Sequence, residues 1–355
     1  MSTKTVLWQN TFNTISDFPI AFPKLGKQTS DSLTVLAADI GGTKTNLGLF
    51  LLEDGHISLV ERAKYPSQEY TSFTAIVEDF LEGGANPDRI SIGIAGPVIG
   101  GKATTTNLGW DVDRETLIHD FNIPDVYILN DLEANAFGIA ALKEEDLLRL
   151  YGGKREIEGN AAIIAPGTGL GEAGLFWDGE KYHPFATEGG HADFGPQNDL
   201  DVDLFRYLRR KFGHVSWERV VSGPGILNIF TFLRIDMGRE VPDDLREAME
   251  AGDPPAVISE YAQKGYPICE ETIDLFIRYL AREAANLCLK MKAVGGLFIG
   301  GGIPPKLQQE FFEANFLSHF FQAGRLRALL ETIPVTIILN SQTALLGAAY
   351  YGALS

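Results

Sequence analysis

Two runs of small residues have the composition of anion-binding turns. The first is Gly41, Gly42, Thr43 and Lys44, inside DIGGTKTNLGLF, and the second is Gly167, Thr168 and Gly169, inside APGTGLGEAGLF. Glycines without a Cβ let backbone N–H groups approach an anion closely, and Thr43 and Thr168 add hydroxyl donors at matching places. Each turn lies between segments that read as strands, so the pair points to one nucleotide gripped twice and hence to phosphoryl transfer. Neither run is a GxxxxGK[ST] phosphate loop, and the second continues as a strand rather than opening a helix as a dinucleotide fingerprint does. Either turn alone reads equally well as a tight hairpin. What favours binding is their pairing, together with a third run at Gly300, Gly301 and Gly302. There a strand ends and Pro304 or Pro305 can occupy a first helical turn, leaving a flat surface suited to an adenosine.

Three further groups of polar residues stand where ligands commonly bind. Asp39 ends a strand just before the first turn, where a carboxylate can hold Mg2+ through water beside phosphates, although a turn-forming Asp has the same pattern. Lys44 can meet a phosphate or simply be solvated. Asn130 and Asp131 stand where a strand feeds a helix, and Asn130 followed by Glu133 also satisfies a capping box, so both roles are expected. Finally, TEGGHADFGP at Thr187 to Pro196 gathers Glu188, His191 and Asp193 among glycines, a polar density that a core does not tolerate unpaired.

The elements needed to hold these groups follow from the pattern. Strands, glycine turns and amphipathic helices alternate, which indicates an α/β chain, and 355 residues exceed the usual single core. We expect an N-terminal arm over residues 1–32, a first lobe from 33–142 plus 335–355, and a second from 143–334, with a cleft between lobes. The strand–turn–strand opening of the first lobe recurs at the start of the second, consistent with a duplication. A long helix is predicted from Glu271 to Lys292, ended by Gly295 and Gly296. The net charge of −17 disfavours nucleic acid and anionic membranes. The only cysteines, Cys269 and Cys288, are too few for a disulfide framework or a structural zinc site. No signal peptide or membrane span is evident, so a cytoplasmic location is expected.

The ordered motifs DIGGTKTNLGLF, TTNLGWDVD, ILNDLEANAFG, APGTGLG, EGGHADF, HVSWERVVSGPG and LFIGGGIPPKL closely resemble those of the bacterial ATP-dependent glucokinases, in the hexokinase and actin ATPase superfamily. The resemblance runs from about Leu33 to Leu354. It implies a two-lobed hexokinase/actin-like (ribonuclease H-like) fold with duplicated mixed sheets, and ATP, Mg2+ and glucose as ligands. It implies Asp131 as catalytic base, with Asn107, Asn130, Asp131, Glu188, His191 and Glu218 on the sugar, and nucleotide contacts from both hairpins and from Gly300 to Gly302. It also implies a homodimer. The repressor and sugar kinase group known as ROK shares the first hairpin, but its cysteine-rich zinc motif is absent here. Competing expectations are a kinase for another hexose, a non-catalytic sugar-responsive regulator, and an actin-like polymerising ATPase. The regulator would need a DNA-binding module, and the arm has only Lys4, Lys24 and Lys27 as basic residues.

Overall fold

The computed structural model describes residues 10–12, 18–23, 32–82, 84–104, 108–154 and 157–355. The chain divides into two compact units, one made of residues 1–146, 180–186 and 340–355, the other of 147–179 and 187–339.

The first unit contains β1 (Asn10–Phe12), β2 (Ser32–Ile40), β3 (Lys44–Glu53), β4 (His56–Pro66), α1 (Phe73–Leu81) and β5 (Arg89–Ile94). A small sheet of β6 (Val98–Ile99), β7 (Lys102–Ala103) and β8 (Val112–Asp113) precedes α2 (Arg114–Phe121), β9 (Asp125–Asn130) and α3 (Asp131–Gly138). The main sheet has the order β1-β4-β3-β2-β5-β9. β2, β3 and β4 form an antiparallel meander, whereas β5 runs parallel to both β2 and β9. Every residue of β5 is buried, as befits a parallel strand covered on both faces. On one face α1 packs through Phe73, Ile76, Val77 and Phe80, and Ser72 caps its start by accepting the Ala75 N–H. The other face is covered by the C-terminal helix Thr343–Leu354, which is apolar all round and packs on β2, β5 and α3.

The described part of the N-terminal arm joins this unit. Asn10–Phe12 pairs antiparallel with β4, Phe18 stacks on Tyr182 with ring centroids 4.5 Å apart, and Phe22 lies 5.4 Å from the Phe137 ring.

The second unit is built on β10 (Leu147–Tyr151), β11 (Ala161–Pro166) and β12 (Leu170–Trp177), after which β13 (Tyr182–Thr187) leads back into it. Helices α4 (Asp199–Phe212), α5 (Gly223–Ile235), α6 (Asp243–Ala251), α7 (Pro254–Gln263) and α8 (Pro267–Met291) follow, then β14 (Gly296–Ile299) and β15 (Val335–Ile338). Its strands run in the order β10-β15-β14-β11-β12. The β11–β12 hairpin is antiparallel, β11 is parallel to β14, and β14 is parallel to β15. The set β12-β11-β14-β15 therefore repeats the pairing of β3-β2-β5-β9, a duplicated mixed sheet. Helix α8 supplies much of the core through Ile273, Phe276, Ile277, Leu280 and Leu287.

Three sequence-based expectations need correction. Val335–Ile338, assigned above to the first lobe, pairs with β14 and β10 and so belongs to the second unit, and only 340–355 return to the first. A short buried strand reads alike in either sheet, so its pattern carried no information on partner. Residues 143–146, expected in the second lobe, cluster with the first unit, as do 180–186. The long helix begins at Pro267, a favourable first-turn proline, and is stopped by Lys292 in the left-handed conformation (φ 50°), ahead of the glycines expected to end it.

Candidate active site

In the first unit the functional candidates gather at one edge of the sheet. Asp39 is in register with Gly93 of β5, and Ile94 is in register with Asn130 of β9, so Asp39 and the β9–α3 junction share the C-terminal edge of three parallel strands. Two strand spacings separate β2 from β9, about 10 Å. Gly93 makes the junction possible, because a Cβ there would lie 2.8 Å from the Ala134 Cβ and 3.9 Å from the Asp131 Cα. The helix that starts with Asp131 thus rests directly on the strand end.

Asn130 fulfils the capping expectation. Its Oδ1 accepts the N–H groups of Leu132 (2.9 Å) and Glu133 (3.3 Å), and its Nδ2 donates to the Gly96 carbonyl (3.1 Å). Burial raises the Glu133 carboxyl, opposed by a bond from the Asn130 N–H, which closes the capping box. Asp131 accepts the Leu132 N–H through Oδ1 (3.0 Å).

The Gly41–Lys44 turn is closed by Gly41 N–H to the Lys44 carbonyl (3.0 Å) and leaves Thr43 and Lys44 exposed. Ser67 braces it from below: its hydroxyl donates to the Gly41 carbonyl (2.9 Å), contacts Thr45 Oγ1 (2.9 Å), and its N–H donates to the Thr43 carbonyl (3.1 Å). Beside the turn, burial raises the Asp39 carboxyl, partly offset by Asn46 Nδ2 at 3.0 Å and by Lys64. Sequence reasoning missed Ser67, Asn46 and Gly93, whose spacing from the turn carries no local signal.

The second unit brings its own candidates together more tightly. The Gly167–Gly169 turn exposes Thr168 and is tied to α5 by Gly223 N–H donating to the Gly167 carbonyl (2.8 Å). Gly301, with φ 85°, packs against the end of β11, where Ile303 N–H reaches the Pro166 carbonyl (3.4 Å). The third glycine run and the second hairpin are therefore one surface. Glu218 reaches the same turn, since its Oε2 accepts the Leu170 N–H (3.0 Å).

The segment 188–194 is laced to 214–217 by an antiparallel bridge between Asp193 and Ser216, by Trp217 N–H to the Ala192 carbonyl (3.0 Å) and by His214 Nε2 to Asp193 Oδ1 (2.9 Å). Gly190 is buried while Glu188 and His191 are exposed, so the loop is anchored by its glycines and presents its acid and imidazole outward. Glu188, His191, Glu218 and the second glycine turn are thus assembled in one unit. Asn107 lies outside the described residues. Among the described residues no cluster of three or more His, Cys, Asp or Glu could hold a metal, and no helix is long and apolar enough to cross a membrane. Cys269 and Cys288 are both buried free thiols on α8.

The duplicated sheets, each with a glycine hairpin at its edge, place the chain in the class of actin-like ATPase folds that includes the sugar kinases. A solved glucokinase from an Antarctic psychrotroph superposes with a TM-score of 0.76 at 30% identity, covering 92% of this chain and 100% of that one. A ROK family glucokinase from Streptomyces griseus, solved with glucose and AMPPNP, shares the fold at 19% identity with a TM-score of 0.64, covering 91% of this chain and 100% of that one. The glucokinase of Trichormus variabilis is 40% identical over 337 residues, spanning 90% of this chain and 98% of that protein. The family described as Glucokinase matches residues 36–354, and the chain belongs to it.

Proposed function

We propose that this chain transfers the γ-phosphoryl group of ATP to the 6-hydroxyl of glucose, giving glucose 6-phosphate and ADP. The observation that carries the reading is the junction in the second unit. Glu218 there holds a phosphate-type turn, and its neighbours Ser216 and Trp217 are laced to the loop bearing Glu188 and His191, in a chain whose family match runs nearly end to end. Carboxylates suit a neutral polyol because each oxygen accepts hydrogen bonds from hydroxyls. We take Glu188, His191, Glu218, Asn107, Asn130 and Asp131 as the residues that supply such contacts.

In this mechanism Asp131 accepts the proton of the sugar 6-hydroxyl as that oxygen attacks the γ-phosphoryl group in line. Asn130 holds the start of α3, and so fixes where the Asp131 carboxylate stands. Backbone N–H groups and the exposed hydroxyls of Thr43 and Thr168 meet the phosphates, with Lys44 beside them, and the surface at Gly300 to Gly302 takes the adenosine. A lone carboxylate also fits Mg2+, which is usually bound by one or two carboxylates together with waters and substrate phosphates. Asp39 would hold the ion through water, and the ion would neutralise phosphate charge. We further place the protein in the cytoplasm as a homodimer. Its charge of −17 disfavours nucleic acid and anionic membranes as partners.

A coupled assay with Mg-ATP across glucose, mannose and fructose tests the reading. A sugar lacking a matched hydroxyl leaves a buried acceptor unpaired, which costs up to about 10⁴ in kcat/KM in favourable sites. Glucose is expected to lead the panel, and equal values for all three sugars, or no turnover of glucose, would refute the assignment.

A further inference from the structure

The loop that presents Glu188 and His191 rests on a buried acid outside the set described above. Glu172, in β12, is 1% exposed, and Glu283, facing it from α8, is fully buried. The Glu172 carbonyl accepts the Thr187 hydroxyl (2.9 Å), whose oxygen in turn accepts the Gly189 N–H (3.2 Å). Its side chain reaches beneath the loop as well, because a Cβ on Gly189 would lie 2.0 Å from Glu172 Oε2. Only a glycine lets the loop sit on this carboxyl.

The pair shares too little positive charge to be doubly ionised. Glu283 takes the available donors, Asn286 Nδ2 at 2.9 Å and Lys290 Nζ at 3.2 Å, whereas Glu172 Oε1 meets no donor among the described residues. Two carboxylates in contact in a dry site repel, so one of them keeps a proton and donates it to the other. The partner with the donors is the better anion, which leaves the proton on Glu172. Consistently, burial first and the Glu283 charge second push the Glu172 carboxyl up to about 8, with Lys290 opposing. Burial also raises Glu283, against the lowering effects of Asn286 and Lys290. The charged groups acting on Glu172 are thus Glu283 and Lys290, both on α8, and from the loop side it meets Thr187 and Gly189.

We propose that the protonated carboxyl of Glu172, hydrogen-bonded to Glu283 beneath Gly189, is a positioning residue that holds the 188–191 loop in its sugar-binding geometry, and that loss of this proton loosens hexose binding. The proposal rests on the reading that Glu188 and His191 hold the sugar. Below the Glu172 transition the carboxyl is neutral and the loop is seated. Above it two anions face each other under Gly189 and push the loop off β12. The effect falls on sugar affinity rather than on the phosphoryl transfer step, so KM for glucose moves while kcat at saturating sugar does not.

Titration calorimetry of glucose binding from pH 7 to 9.5 tests this in the wild type and in Glu172→Gln, which keeps the shape but cannot ionise. If binding requires the protonated form, wild-type affinity falls by up to about thirtyfold over this range, while the Gln variant shows no inflection. Identical pH profiles for the two proteins would overturn the proposal. Should Glu172→Gln fail to fold, wild type alone decides: at pH 8.5 glucose binding is expected to take up a large fraction of one proton, read from the buffer dependence of the heat. No uptake would overturn it. Glu188→Ala separates the two levels of the argument, because wild-type glucose affinity in that variant defeats the sugar-loop reading itself, independently of Glu172.

Discussion

Adding one methyl group at Gly301 tests whether the third glycine run and the second hairpin act as one nucleotide surface. Gly301 has φ 85°, and a Cβ there would lie 2.4 Å from the Pro166 carbonyl oxygen and 3.0 Å from the Ala165 carbonyl carbon. Restoring an ordinary contact requires the end of β11 to move by about 1 Å, and that strand end leads directly into Gly167–Gly169. The left-handed backbone costs an L-residue about 1–2 kcal/mol and overpacking about 1–3 kcal/mol, together about 2–5 kcal/mol. At roughly 2–4 °C per kcal/mol for a unit of this size, Gly301→Ala lowers the melting temperature by roughly 4–20 °C. Misplacement of a binding group by about 1 Å can cost 10²-fold, so kcat/KM for ATP is expected to fall by about 10- to 100-fold. Gly302→Ala is the stability control, since its Cβ meets nothing within 4 Å and its backbone is not left-handed. The measurements are thermal melts without nucleotide and initial rates against ATP. A Gly301→Ala protein with wild-type melting temperature and ATP KM would refute the reasoning.

Two further predictions concern the frame around the site. Asp201 is fully buried and paired with Arg278 and Arg282, so Asp201→Asn should destabilise by about 3–5 kcal/mol in denaturant unfolding. Burial raises the Asp201 carboxyl, but the Gln197 N–H and the two arginines outweigh it and hold the carboxyl below the usual range. Its contribution is therefore fully present above the unfolded value of about 3.9 and is lost as pH falls through the folded value. Acid unfolding of the wild type should be steeper there than in the Asn variant, and superimposable curves would contradict the assignment. Burial pushes the Cys269 thiol up to about 12 and Cys288 higher still. A thiol reagent at pH 8 should label neither in the native protein and both after denaturation, and rapid native labelling would contradict this burial.

What could be read from the chain was local chemistry. The glycine hairpins announce themselves through composition, as do the Asn130 cap and the EGGH loop, because each is set by residues within a few positions of one another. What could not be read depends on partners distant in sequence. Ser67 braces a turn more than twenty residues away, and Asn46 meets Asp39 only across the finished hairpin. Gly93 matters because α3 lies on it, and Glu172 because α8 brings Glu283 against its carboxyl. The partner of Val335–Ile338 was illegible for the same reason: four buried residues fit any parallel position. Lys292 took the left-handed cap because the chain must turn before reaching Gly295, so position outweighed residue preference there.

The central claim is that the carboxylate at the start of α3 removes the proton from the sugar hydroxyl. Steady-state kinetics of Asp131→Ala, with glucose binding measured separately by calorimetry, tests it most directly. In this variant kcat is expected to fall by roughly 10² to 10⁴ while glucose still binds. Turnover near the wild-type rate would contradict it.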